Sequence, residues 1–222
     1  MAAGGAALVM AAAVHLVAFA DVPVPLWTLA LAVLVTGYWV LDRHLAAHFP
    51  HDRFGACNTA TLFRGALAAV LLTPAAAGSA AGWTVFALAA VALSLDAVDG
   101  WLARRTGLTS RYGARFDMEA DSLLALALAM NALANGMPWP LAVVLGCTRY
   151  VFVAAISVYP WLGRPLPERF SRKAVCVLQI SVLVAFLAPP LTGPAFTWLA
   201  VFASVAVLGS FARDIIWLRA RR

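Results

Sequence analysis

Apolar residues run along this chain in blocks of about twenty, the length that carries an α-helix across a bilayer. The blocks fall near residues 2–20, 22–41, 60–80, 83–102, 119–137, 138–159, 174–192 and 195–212. They are unbroken runs, not the strict alternation of a membrane β-barrel strand. Eight membrane-spanning helices are therefore expected, joined by connections too short for a separate soluble domain. Between the second and third blocks, Leu41, Leu45 and Phe49 recur at i, i+4, i+8. His44, His48 and His51, with Asp42 and Asp52, share that stretch. An amphipathic helix lying in the membrane interface explains both patterns better than a zinc site.

Composition narrows the class. The 222 residues are 64% hydrophobic and 12% charged, with a mean hydropathy of +0.88. These values exclude a soluble enzyme, a disordered chain and a disulfide-stapled secreted module. The net charge of +6 rests on 16 Lys and Arg, and they are sorted. They follow the second, fourth, sixth and eighth blocks, apart from Arg64 and Arg149, while the alternate connections carry none. The positive-inside rule then puts both termini in the cytoplasm. The cations are accounted for by membrane orientation, and no nucleic-acid partner is implied. Trp27, Trp83, Trp139 and Trp198 begin blocks on the uncharged side, and Trp39, Trp101, Trp161 and Trp217 end them on the basic side. Two interfacial rims of indole are expected.

Two cations stand out. Arg64 lies just inside the third block and reads as a side chain snorkelling to the interface. Arg149 lies in the middle of the sixth, where a cation faces either a partner or a wet cavity. Ala18-Phe19-Ala20 resembles a signal-peptide cleavage site, but no Lys or Arg precedes the apolar run. Cys57, Cys147 and Cys176 are odd in number and are expected to be free thiols.

Acids are few and gathered. Five of ten lie between Asp96 and Asp121. Asp96 and Asp99 share a helix face at i, i+3, and Asp117 and Asp121 share one at i, i+4. A loop crossing the cytoplasmic surface would bring the two pairs together on antiparallel helices. Four clustered carboxylates repel unless cations compensate, and all-oxygen ligands suit Mg²⁺ or Mn²⁺. Glu119 points to another face. Intramembrane acids also fit a cation transporter. These, however, sit at one interface beside an Arg-rich loop, without an inverted repeat.

The full spacing is D-x-x-D-G-x-x-A-R, eight residues, then G-x-x-x-D-x-x-x-D, filled by Asp96, Asp99, Gly100, Ala103, Arg104, Gly113, Asp117 and Asp121. It resembles, at every position, the signature of the CDP-alcohol phosphotransferase (CDP-alcohol phosphatidyltransferase) family, which includes bacterial phosphatidyltransferases. Asn58, Thr61 and Arg64 form an N-x-x-T-x-x-R that resembles a second element of that family. The likeness covers 58–222, which would supply a core of six transmembrane helices. Residues 1–57 would add two N-terminal spans and the interfacial helix. The fold implied is all-α, a polytopic integral membrane bundle.

The resemblance also implies a reaction. In such enzymes four aspartates hold two divalent ions, Mg²⁺ or Mn²⁺, against the diphosphate of a CDP-linked donor such as CDP-diacylglycerol. An alcohol attacks the phosphorus distal to cytidine and CMP leaves. Carried over, Asp96, Asp99, Asp117 and Asp121 are the metal ligands, and Asp121 takes the proton from the attacking hydroxyl. Asn58, Thr61, Gly100, Ala103, Arg104, Ser110 and Gly113 contact the CDP donor. Taken alone, Asn58 reads as a helix cap, and the two glycines fit tight packing or a loop equally well. Arg149, Arg172 and Lys173 are candidates for an acceptor phosphate, although the last two also read as plain topology charges. Glycerol 3-phosphate is the first expectation for the acceptor and inositol phosphate the second. Relatives imply a homodimer in contact with membrane lipid, with its active site cytoplasmic.

Overall fold

The structure, a computed structural model, describes residues 2–23, 25, 26, 28, 30–37, 39, 55–78, 82–106, 111–167, 169–189 and 193–221. Side chains are described for all of these except 2, 3, 55–57, 97–106, 111 and 112. Every regular element among them is helical. The helices are α1 (Ala2–Ala18), α2 (Gly55–Ala76), α3 (Trp83–Thr106), α4 (Arg111–Ala134), α5 (Trp139–Val158), α6 (Phe170–Phe186) and α7 (Pro194–Arg219). A 3₁₀ turn (Pro160–Gly163) follows α5, and residues 30–37 are also helical. The expected interfacial helix and the histidines at 44, 48 and 51 lie outside the described residues.

Local chemistry explains several boundaries. Pro140 and Pro194 sit in the first turns of α5 and α7, where a missing N–H costs nothing. Gly136, at φ +91°, ends α4 in a left-handed conformation. The Met137 N–H bonds the Ala132 carbonyl at 2.9 Å and the Gly136 N–H bonds Leu133 at 3.0 Å. This is the paired closure that satisfies terminal carbonyls. Pro74 lies inside α2 and cannot donate to the Val70 carbonyl. The Thr73 hydroxyl donates to that carbonyl instead, at 2.7 Å. Asn131 on α4 donates to the Leu71 carbonyl at 2.7 Å and to Ala127 at 2.8 Å. The break in α2 is thus covered by a neighbouring helix.

Helix α2 is the centre of the bundle, against α1, α3 and α4. Ala66, Ala68, Ala69 and Leu71 on it are completely buried. Small side chains let neighbouring backbones approach closely. Helix α4 bridges to α5 and α6, and α7 closes the far side against both. At the α4–α5 crossing, a Cβ on Gly146 would lie 2.6 Å from the Ala129 Cβ. Among the described residues, three helical segments are long and apolar enough to cross a membrane: Asn58–Ala76, Trp139–Val158 and Pro194–Arg219. Gly4–Ala18 and Trp83–Asp96 are shorter apolar helices. The outer faces of α1, α5 and α7 expose Val17, Val151 and Phe202.

The expected loop between the acidic pairs is a correction. α3 continues to Thr106 and α4 begins at Arg111, so only 107–110 separate them. Asp117 and Asp121 lie within α4, in its second and third turns. The apolar pattern stops near each acid because charge begins there, but Arg and Ala are good helix formers and carry the helices onward.

Candidate functional site

α2 brings Arg64 into the interior with its side chain fully buried. A guanidinium removed from water must be paired, because its desolvation cost is large. Its partners are carboxylates on two other helices. Nη1 lies 2.6 Å from Asp96 Oδ1 on α3, and Nη2 lies 3.0 Å from Asp121 Oδ1 on α4. Nη2 also pairs with Asp117 Oδ1 and lies 3.4 Å from the Asp117 carbonyl. Arg64 therefore does not snorkel, as its place near the start of a span suggested. The apolar wall around α2 and three converging anions hold it inside.

The carboxylates differ from the arginine in exposure. Their side chains are 30%, 42% and 22% accessible for Asp96, Asp117 and Asp121. The cluster is dry on the Arg64 side and open on the other. One oxygen from each acid lies within 4.8 Å of the others. Three carboxylates against one guanidinium leave a formal charge of −2, which one divalent ion would cancel. Converging carboxylate oxygens are the donor set of Mg²⁺ or Mn²⁺, so these residues fit such an ion. Asp99 shares the α3 segment one turn on from Asp96, with its side chain outside the described set.

Beside the carboxylates, a small crevice opens where α3, α4 and α6 meet. Leu93, Leu124, Val177 and Ile180 give it apolar walls, and Asp96, Asp121 and Cys176 line its polar part. The Cys176 thiol donates to Asp121 Oδ2 at 3.8 Å. Cys147 and Cys176 are free, as expected.

The other candidates divide. Asn58 and Thr61 are each 4% exposed on α2, in the turns before Arg64. Gly113 is helical, in the first turn of α4. Gly100, Ala103 and Arg104 lie within α3 with undescribed side chains, and Ser110 lies outside the described residues. Arg149 reaches Glu119 Oε1 at 2.9 Å, and its buried Nε has no hydrogen-bond partner. Glu119, set aside from the metal ligands by helix face, thus has a partner of its own. Arg172 forks onto Asp214, with Nε to Oδ2 at 3.0 Å and Nη2 to Oδ1 at 3.1 Å. Lys173 is exposed. Arg172 stands one turn before Cys176 on α6, so it shares the face that meets Asp121. Asp214 escaped the sequence reading because it belongs to no motif. Its one signal was a lone acid near the end of an apolar helix.

The chain resembles known proteins over much of its length. The family model for CDP-alcohol phosphatidyltransferase matches residues 54–207. A protein of Mycobacterium tuberculosis named "Probable phosphatidylglycerophosphate synthase" is 29% identical over 127 residues, covering 57% of this chain and 58% of that one. A Pseudomonas fluorescens protein named "CDP-diacylglycerol--glycerol-3-phosphate 3-phosphatidyltransferase" is 37% identical over 125 residues, covering 52% of this chain and 59% of that one. The chain thus spans less than two thirds of the length of these relatives. No solved structure matches it.

Proposed function

Because the chain belongs to the CDP-alcohol phosphatidyltransferase family, we propose that it transfers a phosphatidyl group from CDP-diacylglycerol to glycerol 3-phosphate, releasing CMP. The observation that carries this reading is the convergence of Asp96, Asp117 and Asp121 at the open face of a buried arginine. The names of the two relatives support both donor and acceptor.

Phosphoryl transfer needs positioning and charge neutralisation more than covalent help. Asp96, Asp117 and Asp121, with Asp99, would hold Mg²⁺ or Mn²⁺, in all two ions. Bound there, the ions supply charge neutralisation for the donor diphosphate and the departing CMP. Asp121, which with Asp96 lines the crevice, accepts the proton of the attacking hydroxyl, the role its motif position implies. Asn58, Thr61, Gly100, Ala103, Arg104, Ser110 and Gly113 bind the CDP moiety. The apolar, membrane-length helices around the site suit a donor with acyl chains. Arg149 and Arg172, steadied by Glu119 and Asp214, bind the acceptor phosphate together with Lys173. A guanidinium already fixed on one edge loses less entropy when its other edge binds an anion. Inositol phosphate stands second as acceptor.

The wider arrangement belongs to the same reading. The protein is an integral membrane homodimer with eight spans, six forming the core from residue 58 onward and two in residues 1–57. Its termini and site face the cytoplasm. The test is CMP release by purified protein from CDP-diacylglycerol with glycerol 3-phosphate, inositol phosphate or no acceptor. Release should require glycerol 3-phosphate, stop with EDTA and return with Mg²⁺ or Mn²⁺. Asp121→Asn should lower kcat by at least about 100-fold, the usual scale of a lost general base. Absence of CMP with every acceptor, or full activity in Asp121→Asn, sinks the proposal.

A further inference from the structure

We infer that Arg64 is a resident counter-ion of the carboxylate cluster, a positioning residue that stabilises the metal-free protein and opposes metal binding. This rests on the metal reading above. Three aspartates from two helices cannot lie with oxygens inside 4.8 Å of each other without mutual repulsion, which at a partly desolvated site is substantial. Arg64 touches Oδ1 of all three, and it cannot leave, because its own side chain is 0% exposed. It therefore supplies the charge that lets α3 and α4, both packed on α2, bring these aspartates together before any ion arrives.

The same placement sets a limit on affinity. A divalent ion at the open face of the cluster is repelled by a fixed positive charge on the opposite side of the same carboxylates. With Arg64 present the described cluster offers a net charge of −2; without it, −3. Arg64 and the ion are then two cations bound to one anionic group, and each weakens the other by the same amount. Weak resident binding is useful to a site whose ions must also release a nucleotide product.

Thermal unfolding in detergent of the wild type, Arg64→Gln and Arg64→Lys, with EDTA and with saturating Mn²⁺, tests this. Mn²⁺ titration followed by electron paramagnetic resonance accompanies it. In EDTA, Arg64→Gln should melt roughly 5–10 °C below wild type, the scale for removing one partner of a buried ion cluster. Mn²⁺ should raise its Tm by more than it raises that of the wild type, and its Mn²⁺ Kd should fall about tenfold or more. Arg64→Lys keeps the charge and should keep wild-type Mn²⁺ affinity within about threefold, with an intermediate Tm. If Arg64→Gln does not fold in EDTA, it should fold when expressed and purified with Mn²⁺, which is the same effect in stronger form. An equal or smaller Mn²⁺ shift in Arg64→Gln, or a weaker Mn²⁺ Kd, overturns the inference and leaves the metal reading standing. Failure of the wild type to bind Mn²⁺ overturns both.

Discussion

Arg64 and Asp214 are each one residue whose part in the fold depends on what it touches. In the sequence Arg64 is a cation near the start of an apolar run, and such residues normally reach for water. Its motif membership with Asn58 and Thr61 was legible; its burial among Asp96, Asp117 and Asp121 was not, because those partners lie 32 or more residues away. Asp214 and Arg172 pose the same problem across a separation of 42. Asp214 is buried, and removing either member leaves the other uncompensated. Arg172→Ala and Asp214→Ala should each lower Tm by several degrees. The double variant should lose less than their sum, with a coupling of about 1–3 kcal/mol in a double-mutant cycle. Additive losses would show that the fork contributes nothing beyond packing. Under the proposed function, Arg149→Ala should raise KM for glycerol 3-phosphate roughly tenfold, the worth of one charge-assisted hydrogen bond, and leave KM for the donor unchanged. A change in donor KM alone would remove Arg149 from the acceptor site.

At the scale of elements, apolar periodicity located the described helices but misplaced the ends of α3 and α4. Hydropathy reports where a helix leaves the apolar medium, whereas helix propensity and pairing decide where it stops. Both helices run on through charged turns, and that extension puts Asp117 and Asp121 opposite Asp96. Two crossings make the assembly testable. Gly146 meets Ala129 so closely that even a methyl group must displace a backbone. Gly146→Ala should destabilise by about 1–3 kcal/mol, the usual cost of overpacking, despite Ala being the better helix former. Stability equal to wild type would mean that α4 and α5 can separate freely. Asn131 is completely buried and joins α4 to the proline break in α2. Asn131→Leu should cost about 1–3 kcal/mol, since it leaves the Leu71 carbonyl without its donor in an apolar setting. Thermal melts in detergent measure both.

For the whole molecule, the sorting of cations and tryptophans predicts which end of the bundle faces which compartment. Trp83, Trp139 and Trp198 are exposed near the starts of α3, α5 and α7, as interfacial anchors should be. Single cysteines at Gly78 and Ala220, in a variant lacking Cys57, Cys147 and Cys176, should react with membrane-impermeant maleimide from opposite sides. Labelling of both from one side would refute the orientation proposed. Amino-acid order alone determined that the chain is helical with apolar runs of membrane length, that its cations gather after alternate runs, and which acids carry the motif. Those properties follow from local runs and spacings, because water and lipid act on each segment separately. Only the tertiary structure decided that α2 is the central helix, that its arginine compensates aspartates of α3 and α4, and that Asp214 grips Arg172. A buried charge has no local solution to its desolvation, so its partner is whatever the packing of distant helices brings to it.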